Sequence, residues 1–270
     1  MAGAGRHHPS SLRLFCTLIV LIVLLLVIDF GPSFIVGSTP HDAIAQQPPV
    51  HKTALWVFAH PDDAVLNAGA AINRHQKEGY KNIIVMVTSG DKVPEGIEIG
   101  LSAEEIMIAR EKEEKAAFAV ISITPEDIIF LRKLDLELTV PMVREEIKRL
   151  VKNTDGELFF RGHSPYDRYS EFGEAHPDHT VIGQALLEEW EDGKVQNLLF
   201  FRMGQLYENP SIGDCPKLSS EELELKQKMR QEYTLQDHAK GRYGLGGWNA
   251  AAPFEKTEYQ PECFELPPQE

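Results

Sequence analysis

The sequence predicts an α/β fold, a Rossmann-like and mostly parallel sheet with helices on both faces, preceded by an N-terminal hydrophobic segment. Two observations predict it. Short, almost entirely apolar runs recur along the chain, as expected of strands that are buried on both faces of a sheet. Stretches rich in helix-forming residues separate them, and this alternation favours parallel strands joined by helical crossovers. The predicted strands are residues 53–59, 82–88, 127–131, 157–160 and 197–201.

The predicted helices have recognisable beginnings and ends. Ser102 followed by Glu105 indicates a capping box at the start of the second helix, and Pro141 suits the first turn of the third. Gly79 and Gly193 follow the first and fourth helices, where glycine commonly ends a helix. The helices are predicted over residues 64–77, 103–120, 139–151, 178–191 and 219–238.

The composition is that of a globular protein. The chain has 270 residues, of which 43% are hydrophobic and 25% are charged. Its net charge of -14 argues against nucleic-acid binding, because phosphate backbones are bound by basic surfaces. We divide the chain into an N-terminal segment (1–45), a polar linker (46–52), one α/β domain (53–240) and a C-terminal extension (241–270).

The N-terminal segment contains an apolar run. Residues 14–28 include no charged side chain, and Arg6 and Arg13 precede them. A basic start followed by such a run is typical of either a cleaved secretory signal or a membrane anchor, and Asp29 leaves both interpretations open. In the second case residues 14–36 would associate with the membrane. Both interpretations predict an extracytoplasmic protein, secreted or membrane-anchored.

Export would also change the state of the cysteines. Cys215 and Cys263 could form a disulfide in an oxidising compartment or remain two free thiols, while Cys16 lies within the apolar run. The sequence contains no Cys-x-x-Cys motif, so a thiolate metal site is not expected.

The motif His60-Pro61-Asp62-Asp63 follows the first predicted strand directly. This position is the carboxyl edge of a parallel sheet, where ligands bind in open α/β folds. Two carboxylates and an imidazole so close together are costly to bury without a positive partner, and a divalent cation would supply that charge. The alternative is that Asp62 or Asp63 only caps the following helix.

A second motif, His176-Pro177-Asp178-His179, repeats the His-Pro-Asp pattern at another predicted strand-to-helix connection. If both connections reach the same edge, His60, Asp63 and His179 form a set of two histidines and one carboxylate. Zinc accepts this set and keeps a position open for water; iron(II) or another divalent metal would accept it as well. Two such motifs at equivalent edges favour a metal site over helix capping.

Hydrolysis at such a site also needs groups that move protons. Asp62 is adjacent to the predicted ligands without having to be one, which makes it the candidate general base. His176 could stabilise an oxyanion or protonate a leaving amine. Asp178 could hold the His176 imidazolium or orient a metal ligand.

The two motifs resemble those of the LmbE-like, or PIG-L, N-acetylglucosaminyl de-N-acetylases, and the resemblance covers roughly residues 53–236. The family signature is Ala-His-Pro-Asp-Asp-Glu after the first strand and His-Pro-Asp-His before a helix, matched here by residues 59–64 and 176–179. The resemblance implies a Rossmann-like fold and N-acetylglucosaminyl conjugates as substrates. The roles it implies are metal ligands at His60, Asp63 and His179, a general base at Asp62, and a transition-state histidine at His176 with Asp178 behind it.

The sequence departs from the family pattern at two positions. Ala64 stands where the family usually has Glu, and Glu174 stands where some members have a Tyr that could help the oxyanion. Arg110 could bind a substrate hydroxyl or phosphate, or form a surface pair with a glutamate of its own helix. A long loop over residues 161–175, which includes His163, could contact a sugar or be a plain surface loop.

The expected function is therefore a zinc-dependent hydrolase that removes the N-acetyl group from an N-acetylglucosaminyl conjugate, releasing acetate and a free amine. One alternative is an N-deacylase that acts on a different amide at the same metal site. Another is a catalytically weak glycan-binding protein on the same fold, which Ala64 and Glu174 would suggest. The aglycone attached to the amino sugar is left open.

Overall fold

A computed structural model describes residues 51–166, 176–203, 215–246 and 262–268, all of which belong to one compact unit, Pro48–Glu270. The predicted N-terminal segment and its apolar run lie outside the described residues. Among the described helices, none combines the length and the apolar character needed to cross a membrane.

The domain is built on a six-stranded sheet with the order β3-β2-β1-β4-β5-β8. Strands β1 to β5 run parallel, and β8 pairs antiparallel with β5 at one edge. A separate hairpin is formed by β6 and β7. The strands are β1 (Lys52–Phe58), β2 (Lys81–Thr88), β3 (Ile128–Lys133), β4 (Glu157–His163), β5 (Leu199–Met203), β6 (Gln236–Asp237), β7 (Arg242–Tyr243) and β8 (Glu262–Glu265).

Helices cover both faces of this sheet, which confirms the predicted fold class. Strand β1 is central, and its side chains alternate between two hydrophobic cores. Trp56 and Phe58 face the core that α1, α3 and α6 complete. Leu55 and Val57 face the core that α4 and α5 complete. The helices are α1 (Asp63–Lys77), α2 (Pro94–Glu98), α3 (Ala103–Ala119), α4 (Val140–Asn153), α5 (Pro177–Glu191) and α6 (Ser220–Thr234).

Two predicted boundaries were wrong. The fourth strand extends to His163, because Arg161 and Gly162 pair with both neighbouring strands. The long loop therefore begins after His163 and not at Arg161. The last helix ends at Thr234, before the predicted end at residue 238, because the chain turns into the β6–β7 hairpin, with Gly241 at a φ of 66°.

The C-terminal extension contributes β8 to the main sheet, although its sequence is not an apolar run. Cys263 of β8 forms a disulfide with Cys215, one of the two states that the sequence left open. Glu262 accepts hydrogen bonds from Lys226 Nζ (3.0 Å) and from two backbone N–H groups of α1. Glu265 pairs with Arg202 of β5. Both carboxylates are buried, and these partners compensate their charge.

Candidate metal centre

Both His-Pro-Asp motifs lie at the carboxyl edge of the sheet. The first follows the end of β1 and leads into α1, and the second opens α5. Asp62, which precedes the first residue of α1, has a φ of 124°, a conformation that non-glycine residues seldom adopt. Such a sharp turn sends the side chains of His60, Asp62 and Asp63 to the same small region. Backbone strain at a residue of this kind commonly marks a functional site.

The three predicted metal ligands converge. Asp63 Oδ2 lies 3.1 Å from His60 Nδ1 and 3.1 Å from His179 Nε2, and the two imidazole nitrogens are 3.3 Å apart. In a tetrahedral site with bonds of about 2.0–2.1 Å, neighbouring ligand atoms are separated by roughly 3.3–3.4 Å. The donor set therefore fits zinc in both chemistry and spacing.

Other donors approach the same atoms. In one group, the potential ligand atoms of His176, His60 and His179 lie within 4.8 Å of one another. In a second group, those of His163, Asp63 and His179 do the same. A further group joins His60 with Asp135 and Asp178. The three groups overlap but do not share one centre, because Asp63 and His179 face Nδ1 of His60 whereas Asp178 faces its Nε2, so each donor must be assigned from its own contacts.

The electrostatics of the cluster favour a positive charge at its centre. Burial lowers the pKa of His60, but hydrogen bonds to Asp178 and Asp63 outweigh it and raise that pKa to about 10. Burial opposes ionisation of Asp63, yet the neighbouring His179 holds its pKa well below the usual value. The carboxylates that favour a proton on His60 would also favour a metal cation there, which has to displace that proton in order to bind.

Asp178 contacts the ligand His60 rather than the predicted acid His176. Its Oδ2 lies 3.3 Å from His60 Nε2 and accepts a hydrogen bond of 2.9 Å from the Leu136 backbone N–H. The distance from Oδ2 to His176 Nδ1 is 4.0 Å. Asp178 thereby fixes the proton of His60 on Nε2 and leaves Nδ1 facing Asp63 and His179. This contact is the one that the second expected role, orienting a predicted metal ligand, requires.

His176 is the residue that precedes α5, and its ring caps the helix. Nδ1 accepts a hydrogen bond of 3.3 Å from the Asp178 backbone N–H. Burial and the neighbouring His60 and His179 lower the pKa of His176 to about 4, so the ring is neutral at pH 7. A neutral ring that accepts at Nδ1 carries its proton on Nε2. His176 therefore presents an N–H donor and not an imidazolium.

Asp62 is held by Arg110. Arg110 Nη2 lies 2.9 Å from Asp62 Oδ2 and also donates to the Pro61 carbonyl oxygen. Burial raises the pKa of Asp62, and the Arg110 charge acts against that rise. Arg110 also pairs with Glu113 of its own helix, Nη1 to Oε2 at 3.8 Å, but both side chains are buried and the pair does not lie on the surface, where one interpretation of the sequence expected it. Its guanidinium is directed at the candidate base.

A buried polar network lies behind Arg110. Glu113 accepts hydrogen bonds from the backbone N–H groups of Leu245 and Gly246, at 2.8 and 3.0 Å. The Tyr233 hydroxyl donates to Glu114 Oε2 at 2.5 Å. Burial raises the pKa of Glu114 to about 8. The network joins α3, α6 and the segment after β7 beneath the site, and residue patterns alone gave no signal that Glu113 and Glu114 would be buried.

Two of the remaining expectations concern the surroundings of the site. Ala64, which replaces the usual Glu, is completely buried in the core beneath the first motif. Glu174 and most of the loop that follows β4 lie outside the described residues. Tyr166, at the beginning of that loop, is half exposed. His163 is fully buried at the end of β4 and does not belong to a surface loop.

Comparison with known families gives one decisive match. The family model PIG-L, described as GlcNAc-PI de-N-acetylase, matches residues 55–190, which is half of the chain. The chain belongs to the PIG-L family. Both motifs of the candidate centre fall inside the matched region, and the family is one of deacetylase-type hydrolases that act on carbon–nitrogen bonds other than peptide bonds. No curated protein matches the chain.

Solved structures share the fold of this PIG-L domain. The N,N'-diacetylchitobiose deacetylase of Pyrococcus horikoshii is 21% identical with a TM-score of 0.58, over 80% of this chain and 84% of that one. A deacetylase of teicoplanin biosynthesis is 16% identical with a TM-score of 0.55, over 76% and 89%. The 4-carboxy-2-hydroxymuconate hydratase of Pseudomonas putida KT2440 is 18% identical with a TM-score of 0.52, over 81% and 98%. Because one neighbour is a hydratase, the fold alone does not assign the reaction.

Proposed function

We propose that this protein is a zinc-dependent deacetylase that hydrolyses the N-acetyl group of an N-acetylglucosaminyl conjugate to acetate and a free amine. One observation carries the proposal. His60 Nδ1, Asp63 Oδ2 and His179 Nε2 lie within 3.3 Å of one another, beside the candidate base Asp62. The family description and the name of the chitobiose deacetylase support an N-acetylated amino-sugar substrate, and the name of the neighbour from teicoplanin biosynthesis supports deacetylation.

In this proposal His60, Asp63 and His179 hold the zinc ion, as the family resemblance implies. When bound, zinc would lower the pKa of water and polarise the acetyl carbonyl. Asp178 keeps His60 in the tautomer whose Nδ1 can act as a ligand, through its contact of 3.3 Å with Nε2.

Asp62 moves the proton. Arg110 holds Oδ2, which leaves Oδ1 to take a proton from the attacking water. Burial raises the pKa of Asp62, so the carboxyl can hold that proton until the amine nitrogen departs and receives it. The reaction then balances, since water supplies the hydroxyl group of acetic acid, which ionises to acetate, and the proton that the amine nitrogen gains.

His176 stabilises negative charge on the former carbonyl oxygen. Because its Nδ1 accepts from a backbone N–H, its Nε2–H is the donor that can face the substrate. A neutral donor suits this role, because it needs no proton from solution at neutral pH. This assignment refines the expectation of an imidazolium acid, which the low pKa of His176 disfavours.

We also propose that the protein acts outside the cytoplasm. The disulfide between Cys215 and Cys263 supports this, since disulfides persist mainly in oxidising compartments. Cell fractionation followed by thiol labelling tests the proposal. An intracellular pool with both cysteines reduced would contradict it.

The central experiment measures acetate release from a panel of N-acetylglucosamine conjugates with soluble, lipid-linked and glycan aglycones. We expect activity that a chelator removes and stoichiometric zinc restores. Asp62→Asn should retain zinc and lose most turnover. Full turnover in that variant would reject the assignment of the base, and full zinc occupancy with no acetate from any substrate would favour a glycan-binding protein.

The replacement of the family Glu by the buried Ala64 gives a reason to test a second candidate, an N-deacylase for another amide. The same panel should therefore include longer N-acyl groups and non-sugar acetamides. A preference for one of these over the N-acetyl sugars would favour the second candidate.

A further inference from the structure

His163 is a buried histidine that the proposed mechanism does not use. It is the last residue of β4, and its side chain is fully buried between the two motifs. It belongs to neither motif. The residues around it, Arg161, Gly162 and Ser164, are not an apolar run, so the sequence did not predict that a strand would bury it. Its side chain nevertheless contacts the backbone just before His60 and the ring of His179, and so touches both motifs that bear the proposed ligands.

Three contacts fix the His163 ring. Nε2 accepts a hydrogen bond of 3.1 Å from the Ala59 backbone N–H, immediately before His60. The ring stacks on that of His179, with centroids 3.8 Å apart and planes at 11°. Phe58 packs against it edge-on at 5.0 Å. Nε2 also lies 3.3 Å from Asp63 Oδ2, but its lone pair is directed to the Ala59 N–H, so this proximity is not a further hydrogen bond.

We propose that His163 is a positioning residue for the metal site, which it serves by joining the end of β1 to the ring of His179. The hydrogen bond sets the backbone that leads into His60 and Asp63, and the stacking sets the plane of His179. Together these contacts keep ligand atoms from two distant motifs at the spacing that zinc requires. The inference rests on the proposed function, since it concerns the same zinc site.

A histidine meets both requirements at once. Phenylalanine would retain the stacking but leave the buried Ala59 N–H without its acceptor, which is costly in a water-free site. Glutamine would retain an acceptor but lose the planar contact with His179. Either loss should loosen the ligand geometry, because partners that orient metal ligands commonly affect metal affinity about 10–100-fold.

The contacts also argue against His163 as a fourth ligand, although its donor atom lies within ligand distance of Asp63 and His179. The lone pair of Nε2 is directed to the Ala59 N–H. A fourth protein ligand would close the tetrahedral site, whereas a hydrolytic zinc site keeps one position open.

The experiment measures zinc affinity by competition with a chromophoric chelator for the full-length protein and for His163→Phe and His163→Gln. The matched control is His75→Gln, which alters another histidine with an aromatic contact, to Trp56 at 5.1 Å, outside the centre. We expect about 10-fold or greater weakening in both His163 variants and an unchanged value in the control. If the Phe variant does not fold, the Gln variant, which keeps the acceptor, carries the test.

Cobalt(II) substitution gives a second readout. The visible spectrum should retain the intensity of the wild-type site in both His163 variants, because the ligands themselves are unchanged. A spectrum that indicates a lost nitrogen ligand would make His163 a ligand and overturn the proposal. Unchanged zinc affinity, or an equal loss in His75→Gln, would overturn it as well. Failure of the wild-type protein to bind zinc would instead reject the proposed function.

Discussion

Arg110 Nη2 lies 2.9 Å from Asp62 Oδ2, and the same guanidinium donates to the carbonyl oxygen of Pro61. One buried arginine therefore holds the carboxylate of the proposed base, Asp62, and the carbonyl group just before it in the chain. Asp62 is also the residue whose φ is 124°. The close approach of Gly90 and Gly246 to this guanidinium leaves little room for it to move. We interpret Arg110 as the residue that orients Asp62.

Arg110→Lys should lower kcat about 10–100-fold with little change in KM, because the guanidinium meets Asp62 and Pro61 through Nη2 and Glu113 through Nη1, and a single ammonium nitrogen cannot face both sides at once. Acetate release and zinc content should be measured together. The control Arg132→Lys alters an exposed arginine that pairs with Glu111 of α3 and not with Asp62, and it should have little effect on turnover. Loss of zinc in Arg110→Lys, or an equal fall in the control, would contradict the orienting role.

Asp178→Asn should weaken zinc binding about 10–100-fold, because the carboxylate orients His60 and its Oδ2 also accepts from the Leu136 N–H. An amide has one acceptor oxygen and cannot reproduce the charge that favours the Nε2–H tautomer. Competition with a chelator measures the change. Asp192→Asn, at the exposed end of α5, is the control. Zinc affinity equal to that of the wild type would show that His60 needs no such partner.

The convergence of His60, Asp63 and His179 could be predicted because it depends on topology. Two motifs that each follow a parallel strand must meet at one edge of the sheet. The partners of these motifs could not be predicted in the same way. His163 appeared to follow the fourth strand because the apolar run ends at Phe160. In the structure, Arg161 and Gly162 pair with strands on both sides, and His163 pairs with Phe201 of β5.

Strand β8 was missed for a related reason. Its four residues include two glutamates, a pattern that does not predict a buried strand. Glu262 is compensated by Lys226 and Glu265 by Arg202, and both cations come from distant parts of the chain. Burial of charge depends on such pairings, which periodicity in the sequence does not encode.

Reduction of the disulfide between Cys215 and Cys263 should destabilise the protein by about 2–4 kcal/mol, since the bond closes a loop with a sequence separation of 48. Thermal unfolding with and without reductant measures this. The double variant Cys215→Ser, Cys263→Ser should unfold at the lower temperature in both conditions. A wild-type Tm that does not respond to reductant, despite confirmed reduction, would contradict the prediction.

Glu114 should make the free energy of unfolding depend on pH. Burial raises its pKa in the folded state to about 8 from an ordinary value of 4.5. Its stabilising contribution is therefore complete below pH 4.5 and is lost as the pH rises towards about 8. The slope can approach 1.4 kcal/mol per pH unit. Denaturant unfolding of Glu114→Gln should lack this dependence, while the exposed-site control Glu145→Gln should retain it.

His176→Phe should lower kcat about 10²–10³-fold, the usual effect of removing one donor to an oxyanion, while zinc affinity and KM change little. The substitution keeps an aromatic ring in contact with His60, whose centroid is 4.5 Å away, but removes the Nε2–H. His238→Phe, at an exposed position outside the site, is the control. Because His176 also lies within ligand distance of His60 and His179, zinc content is the deciding measurement. Loss of zinc would make His176 a ligand, whereas loss of turnover with zinc retained would support its role as a neutral donor.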